Sequence, residues 1–306
     1  MPIDAARAVA AAPRSGPISW TRADVQLYHL GVGAGVPADD PGELSYLLED
    51  RLHVLPGFAT VAGGGPGARD GERYGGVLEE LSAPGVDVDP AAVLHGTQTL
   101  HLHRPIPPAG SAVRTSRIAD VYDKGKAAVV VLRAEVADAE GPLWASEAQL
   151  YVRGEGGFGG ARGRSPRLPA LADRPPDRTV LRGVREDQAL LYRLSGDANP
   201  LHADPEFAAR AGFAQPILHG LCSYGIALKA VVDGELGGAA ARVRRCTARF
   251  AGVVYPGETL RVRMWRQPPA GPVESTGSGG GAVRLTAAVV ERDDAEVLTD
   301  AEVTFS

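Results

Sequence analysis

The sequence predicts an α+β protein built from two halves of like pattern, each an antiparallel sheet wrapped around a helix. Three observations carry this reading. Segments in which apolar and polar residues alternate recur in both parts of the chain, separated by turns that carry proline and glycine. An apolar-apolar-His-Gly sequence stands ahead of the strands in each part, as Val93-Leu-His-Gly96 and again as Ile217-Leu-His-Gly220. Between the parts lies a stretch too dense in glycine and proline to pack, from Arg153-Gly-Glu-Gly-Gly-Phe-Gly-Gly160 to Asp173-Arg-Pro-Pro-Asp177. The expected division is a first half over 18–160, a linker over 161–177 and a second half over 178–306.

Taken in order, residues 1–17 contain Ala-Val-Ala-Ala-Ala but no long apolar core, and read as a frayed leader, not a signal peptide. Thr21 is placed to cap a helix over 24–30. Strands are expected at 99–105, 114–121, 127–136 and 145–152, with a turn at Pro108-Ala-Gly110. In the second half, Asp204 caps a short helix that Pro205 opens and Gly212 stops. A second helix runs from Gly220 to about Val232, with Leu221, Tyr224, Leu228, Val231 and Val232 on one apolar face. Strands follow at 247–254, 259–265, 282–290 and 296–305, with a turn at Pro256-Gly257. The segment 267–282, rich in proline, glycine and serine, reads as a mobile hairpin loop.

Composition narrows the function. Hydrophobic content of 44% and charged content of 23% over 306 residues are ordinary for a soluble globular chain. A net charge of −5 argues against non-specific nucleic-acid binding, which draws on basic surface, and offers nothing to anionic lipid. No run approaches the roughly 18 apolar residues that a membrane helix needs. Cys222 and Cys246 sit in apolar runs without Cys-x-x-Cys spacing, which fits buried free thiols in a reducing compartment. The expectation is therefore a cytoplasmic protein with no membrane attachment.

Chemistry concentrates in Tyr192-Arg-Leu-Ser-Gly-Asp-Ala-Asn-Pro-Leu-His202. Pro200 prevents a regular helix through it, so Asp197 and His202 lie on a shaped loop. Histidine is the side chain best poised to take a proton near neutral pH, and a carboxylate can share the same water. Asn199 adds an amide able to fix that water or hold the loop. The same residues also suit an Asx-turn followed by a helix-capping histidine, and both readings stand at this level. Gly220 opens an apolar helix, where unsatisfied N–H groups and the positive dipole end meet and an oxyanion can be stabilised. It also suits a glycine needed only for close packing.

Other candidates are weaker. Gly31-Val-Gly-Ala-Gly35 follows a helix, whereas a dinucleotide fingerprint needs a strand before its glycines, so a nucleotide site is not expected. His101 and His103 share one strand face but have no thiolate or carboxylate partner nearby, which favours surface or hydrogen-bonded histidines, and no metal site is expected. Lys124, in Tyr122-Asp-Lys-Gly-Lys126, is either a solvated turn lysine or a phosphate contact for a long anionic ligand.

Leu194-Ser-Gly-Asp-Ala-Asn-Pro-Leu-His202 resembles the signature of the hydratase 2 family, the MaoC-like (R)-specific enoyl-CoA hydratases. Tyr28-His-Leu-Gly-Val-Gly-Ala34, Asp123-Lys-Gly125, Pro216-Ile-Leu-His-Gly-Leu-Cys222, Ala248-Arg-Phe250 and Tyr255-Pro-Gly257 are similar to segments of its two-domain members. The likeness runs from about Trp20 onward. It implies a double hot dog fold, in which each half wraps an antiparallel sheet around a long helix. It further implies that Asp197 and His202 activate one water, that Asn199 helps hold it and that the Gly220 N–H polarises a thioester carbonyl. Acyl-CoA contacts would fall on His95, Gly96, Lys124, Asp197, Ala198, Asn199, Pro200, Leu201, His202, Gly220 and Phe250. Coenzyme A enters as part of the substrate, with no further cofactor. The first half keeps His-Gly but lacks the Asp-x-Asn-Pro-x-His loop, which implies one active site per chain and a first half that holds substrate. Leu55-Pro-Gly-Phe58 departs from the family's usual Pro-Thr-Phe. Dehydration of carrier-protein thioesters and non-catalytic acyl-CoA binding are the competing expectations, a thioesterase a weaker one, and association of two copies through sheet edges is open.

Overall fold

Ten strands join in one continuous antiparallel sheet whose order reads the same from either end once the halves are matched. The structure, a computed structural model, describes residues 3–65, 81–163, 167–171, 173–267 and 280–306. The strands are β1 (Arg14–Trp20), β2 (Val93–Leu102), β3 (Gly110–Asp123), β4 (Ala127–Asp138) and β5 (Gly141–Arg153), then β6 (Arg178–Gly183), β7 (Val243–Phe250), β8 (Thr259–Gln267), β9 (Gly281–Val289) and β10 (Ala295–Phe305). Their order is β1-β3-β4-β5-β2-β7-β10-β9-β8-β6. Each strand of the first five has a counterpart five places later, so the order is that of a duplicated unit joined edge to edge. The join is the β2–β7 pair, in register from Thr97↔Arg249 to His101↔Arg245, with Thr99 and Thr247 hydroxyls 2.8 Å apart across it.

The helices are α1 (Ala5–Ala10), α2 (Arg22–Gly31), α3 (Pro41–Leu44), α4 (Gln188–Tyr192), α5 (Pro205–Arg210) and α6 (Gly220–Leu236). The Thr21 cap of α2 forms with Asp24 as a reciprocal capping box. Asp204 caps α5 by accepting from the Glu206 and Phe207 N–H groups, with Pro205 in its first turn. Over 222–232, every residue of α6 is buried, the signature of a helix enclosed by protein and not laid on a surface. It ends at Gly237, whose φ of +58° suits glycine and whose N–H closes on Val232 O. Gly225 is required where α2 approaches, because a Cβ there would stand 2.6 Å from both Tyr28 Oη and Val32 Cγ1.

Three expectations change. The leader is not frayed: Asp4 caps α1, Ile3 and Ala8 are buried, and β1 pairs with β3 from Arg14↔Ser116 to Trp20↔Gly110. Strand β6, pairing with β8, was not anticipated. The first half holds no long helix among the described residues to match α6. One end of its sheet is covered by a core that includes Trp20, Phe58 and Trp144, the other by Ile3, Ala8 and Leu81. Between them, small side chains such as Ala134, Ser146 and Ala148 face a cavity. Most of the expected 267–282 loop, residues 268–279, lies outside the described residues, as do 164–166 and 172 of the expected linker.

Burial makes one histidine a stability sensor. His29 donates from Nδ1 to Tyr46 O (2.6 Å) and accepts at Nε2 from Leu55 N–H (3.0 Å), a pairing open only to neutral imidazole. Loss of water lowers its pKa to about 4. Between about 4 and 6.5 the unfolded chain binds the proton that the folded chain refuses, so stability falls as pH falls through that window, with His29 contributing on the order of 3 kcal/mol. Urea titrations from pH 7 to 4 should show this loss, and His29→Gln should flatten it; equal slopes for the two proteins would remove His29 as the cause.

Candidate active site

The loop between α4 and α5 is shaped by three local devices. Gly196 turns it with φ +121°, and its Cα lies so close to the Gly64 backbone that a Cβ would stand 2.5 Å from Gly64 O. Asp197 Oδ1 accepts the Asn199 N–H (3.2 Å), and Asn199 Oδ1 accepts the Leu201 N–H (3.0 Å) at the start of a single 3-10 turn, Pro200–His202. The Asx-turn reading is thus correct as local structure. Leu201 then anchors the loop in a small core with Ala208, Ala211 and Ile217.

His202 does not act as a helix cap. It is buried, and its Nδ1 lies 2.8 Å from Ile217 O, an atom that can only accept. Nδ1 therefore carries the hydrogen and Nε2 keeps a free lone pair. Donor atoms of Asp197, His202 and His219 all lie within 4.8 Å of one another. The rings of His202 and His219 stack, with centroids 3.8 Å apart and planes 29° apart. A metal must lie near the plane of each ligating imidazole, and two stacked rings offer nearly parallel planes, so the two histidines do not suit a shared metal.

Loss of water raises the pKa of Asp197, opposed by the charge of His202 and the Asn199 N–H. It lowers that of His202, opposed by Asp197, and lowers that of His219 well below the ordinary histidine value. The two shifts on the pair run towards each other, each opposed by the charge of the other group.

Helix α6 begins beside this pair. The Cys222 and Ser223 N–H groups are taken by His219 O, whereas the N–H of Gly220, as the first helical residue, has no acceptor within the helix. Phe250 from β7 packs over Gly220, 3.3 Å from where a Cβ would sit, and its ring lies 4.7 Å from that of His95 on β2. His95 and Gly220 are thus joined through Phe250 across the β2–β7 seam. A cavity of about 520 Å³ opens from the loop, walled by 192–198 and Leu221 of the second half and by His95, Gln98, Ser116 and Ala134 of the first. Gly96 is in β2 at a register shift against β5. Lys124 is placed elsewhere, in the β3–β4 turn with Nζ 2.5 Å from Arg162 O, and is not among the residues that line this cavity. His101 and His103 are exposed.

Sequence reasoning missed His219, although its loop was singled out. Its signal was present: a histidine directly before the glycine that opens the helix, two places after the residue whose carbonyl holds His202.

Fold and site together define the class of hot dog proteins that carry an acid/base loop beside a helix N-terminus. Comparison with known proteins agrees. Residues 18–154 match the family model for the MFE-2 hydratase 2 N-terminal domain, and residues 168–287 match that for the MaoC like domain. The chain belongs to the MaoC-like, hydratase 2 family. It is 44% identical over 306 residues to enoyl-CoA hydratase ChsH3 of Mycobacterium tuberculosis, covering 99% of each chain. It is also 44% identical over 278 residues to the 3-hydroxyacyl-thioester dehydratase Y of the same organism, covering 87% of this chain and 90% of that one. Among solved structures, a MaoC-like dehydratase from Phytophthora capsici superimposes with a TM-score of 0.84 at 28% identity, over 99% of this chain and 98% of that one. A Mycobacterium tuberculosis protein with a double hot dog fold superimposes with a TM-score of 0.60 at 13% identity, over 96% and 94%, a likeness of fold alone. No helix among the described residues is long and apolar enough to cross a membrane.

Proposed function

We propose that this chain adds water reversibly to trans-2-enoyl-CoA thioesters, giving (3R)-3-hydroxyacyl-CoA. The observation that carries the reading is the free Nε2 of His202, fixed by the bond from Nδ1 to Ile217 O and set beside Asp197 at the mouth of the α6 helix. In the hydration direction, Asp197 and His202 hold one water and take its proton as its oxygen bonds to C3. Electron density moves through C2 to the thioester oxygen, which the Gly220 N–H stabilises. The protonated pair then returns a proton to C2 on the same face. The amide of Asn199 steadies the water while its carbonyl caps the turn. The thioester is the electron sink, so the reaction so written draws on no metal or redox group.

The cavity walled by both halves takes the acyl tail, and His95, Gly96, Ala198, Pro200, Leu201 and Phe250 frame the thioester end. Lys124 is assigned a more distant contact with the coenzyme A phosphates. Two buried thiols, Cys222 and Cys246, suit a reducing compartment such as the cytoplasm.

Mixing the protein with crotonyl-CoA should lower the enoyl absorbance to an equilibrium level and yield the (3R) product on chiral analysis. Absence of turnover at micromolar protein, or a (3S) product, would overturn the proposal. The similarity to a 3-hydroxyacyl-thioester dehydratase favours a second reading, dehydration of a carrier-bound thioester, and comparing kcat/KM for CoA and carrier-protein substrates decides between them.

A further inference from the structure

The chemistry above leaves one ring unused that contacts both Asp197 and His202. His219 is 1% exposed and forms the N-cap of α6 without a side-chain capping bond. Its Nε2 lies 3.1 Å from the backbone oxygen of Asp197, so Nε2 carries the hydrogen and donates to the acid/base loop. Its Nδ1 is buried with no hydrogen-bond partner. One face of the ring stacks on His202 at 3.8 Å, and Tyr192 approaches to 4.9 Å. The next residue along the chain is Gly220.

We propose that His219 is a positioning residue: a strut that ties the Asp197 loop to the N-terminus of α6, and a plate that covers one face of the His202 ring. The proposal rests on the hydratase reading for its kinetic consequence, though not for its structural one. As a strut, it fixes the distance between the base and the Gly220 N–H, the two groups that must act on C3 and on the thioester oxygen at once. As a plate, it keeps water from the His202 ring. A second imidazolium stacked there would repel a protonated His202, so the plate must stay neutral, in keeping with the lowering of its pKa by burial first and His202 second. The charged and titratable groups that face the two rings are Asp197, Arg193 and Tyr192.

The two roles separate in two variants. His219→Phe keeps a ring over His202 and loses the donor to Asp197 O; His219→Gln keeps a donor and loses the stack. For His219→Phe, kcat on crotonyl-CoA should fall roughly tenfold or more with KM nearly unchanged, while the NMR titration of His202 stays where it is in the parent protein. For His219→Gln, kcat should be closer to the parent value, while the His202 titration and the acid limb of the kcat–pH profile both move up towards 6.5. Thermal unfolding identifies a variant that has lost its fold, and the other variant then carries the test. Identical His202 titrations in all three proteins would overturn the plate, and a His219→Phe variant as fast as the parent would overturn the strut. If the parent protein does not hydrate crotonyl-CoA, the hydratase reading fails, and the His202 titrations still decide the plate.

Discussion

Replacing Asp197 by asparagine is expected to lower kcat for enoyl-CoA hydration by about a thousandfold, and His202→Ala by a similar factor. Asparagine keeps the Oδ1 that accepts the Asn199 N–H (3.2 Å), so the turn survives while the carboxylate beside His202 is gone. The double variant should be little worse than either single one, because the pair works as a unit and its losses do not add. Thermal unfolding of Asp197→Asn should stay close to that of the parent or rise, since a half-buried charge that burial disfavours has been removed. Near-normal turnover with both single variants would remove this loop from the chemistry.

Lys229→Ala is expected to lower stability and leave turnover nearly unchanged. Lys229 is 2% exposed on α6, with Nζ 2.6 Å from Glu43 Oε1, 2.8 Å from Asp233 Oδ2 and 4.9 Å from the Tyr46 ring centroid. Asp233 keeps Tyr46 Oη (2.7 Å) and Arg182 (3.3 Å) when the lysine is removed. Glu43, largely buried, keeps the Gly35 N–H (3.0 Å). Removing one partner of a buried ion pair leaves the other charge uncompensated and costs about 3 kcal/mol, a fall in Tm of roughly 5 °C for a chain of 306 residues. Because this cluster lies away from the acid/base loop, kcat at 25 °C should change little. An unshifted Tm would show that Glu43 and Asp233 find water or other donors without cost.

The elements that the sequence made legible share a cause. Helix α6 and strands such as β4 and β9 are buried over most of their length, so their apolar patterns are strong. The edges are another matter. Strand β1 reads Arg-Ser-Gly-Pro-Ile-Ser-Trp and β6 reads Arg-Thr-Val-Leu-Arg-Gly, each largely solvent-facing and paired on one side only, so hydrogen bonds with β3 and β8 decide them where side chains do not. The same logic divides the site. Asp197, Asn199 and His202 lie within six residues and could be read from spacing. The stack of His219 on His202 spans 17 positions, and the Lys229–Glu43 pair spans 186, so neither is visible until the chain is folded. His219 also had an innocuous alternative, since a single histidine beside leucines and glycine suits a core as well as a site.

The mirrored strand order bears on how such a site holds together and changes over time. Its cavity borrows one wall from each half, and a covalent chain delivers both walls at a fixed ratio whatever the dilution, with no association equilibrium between them. It also releases the two walls from having to be identical, as a symmetric pair would require. Substitutions at Ala134, Ser146 or Gln98 alter the first half's wall of the cavity without touching Asp197 or His202. The seam at Thr99 and Thr247 is then a boundary across which the two walls are free to differ.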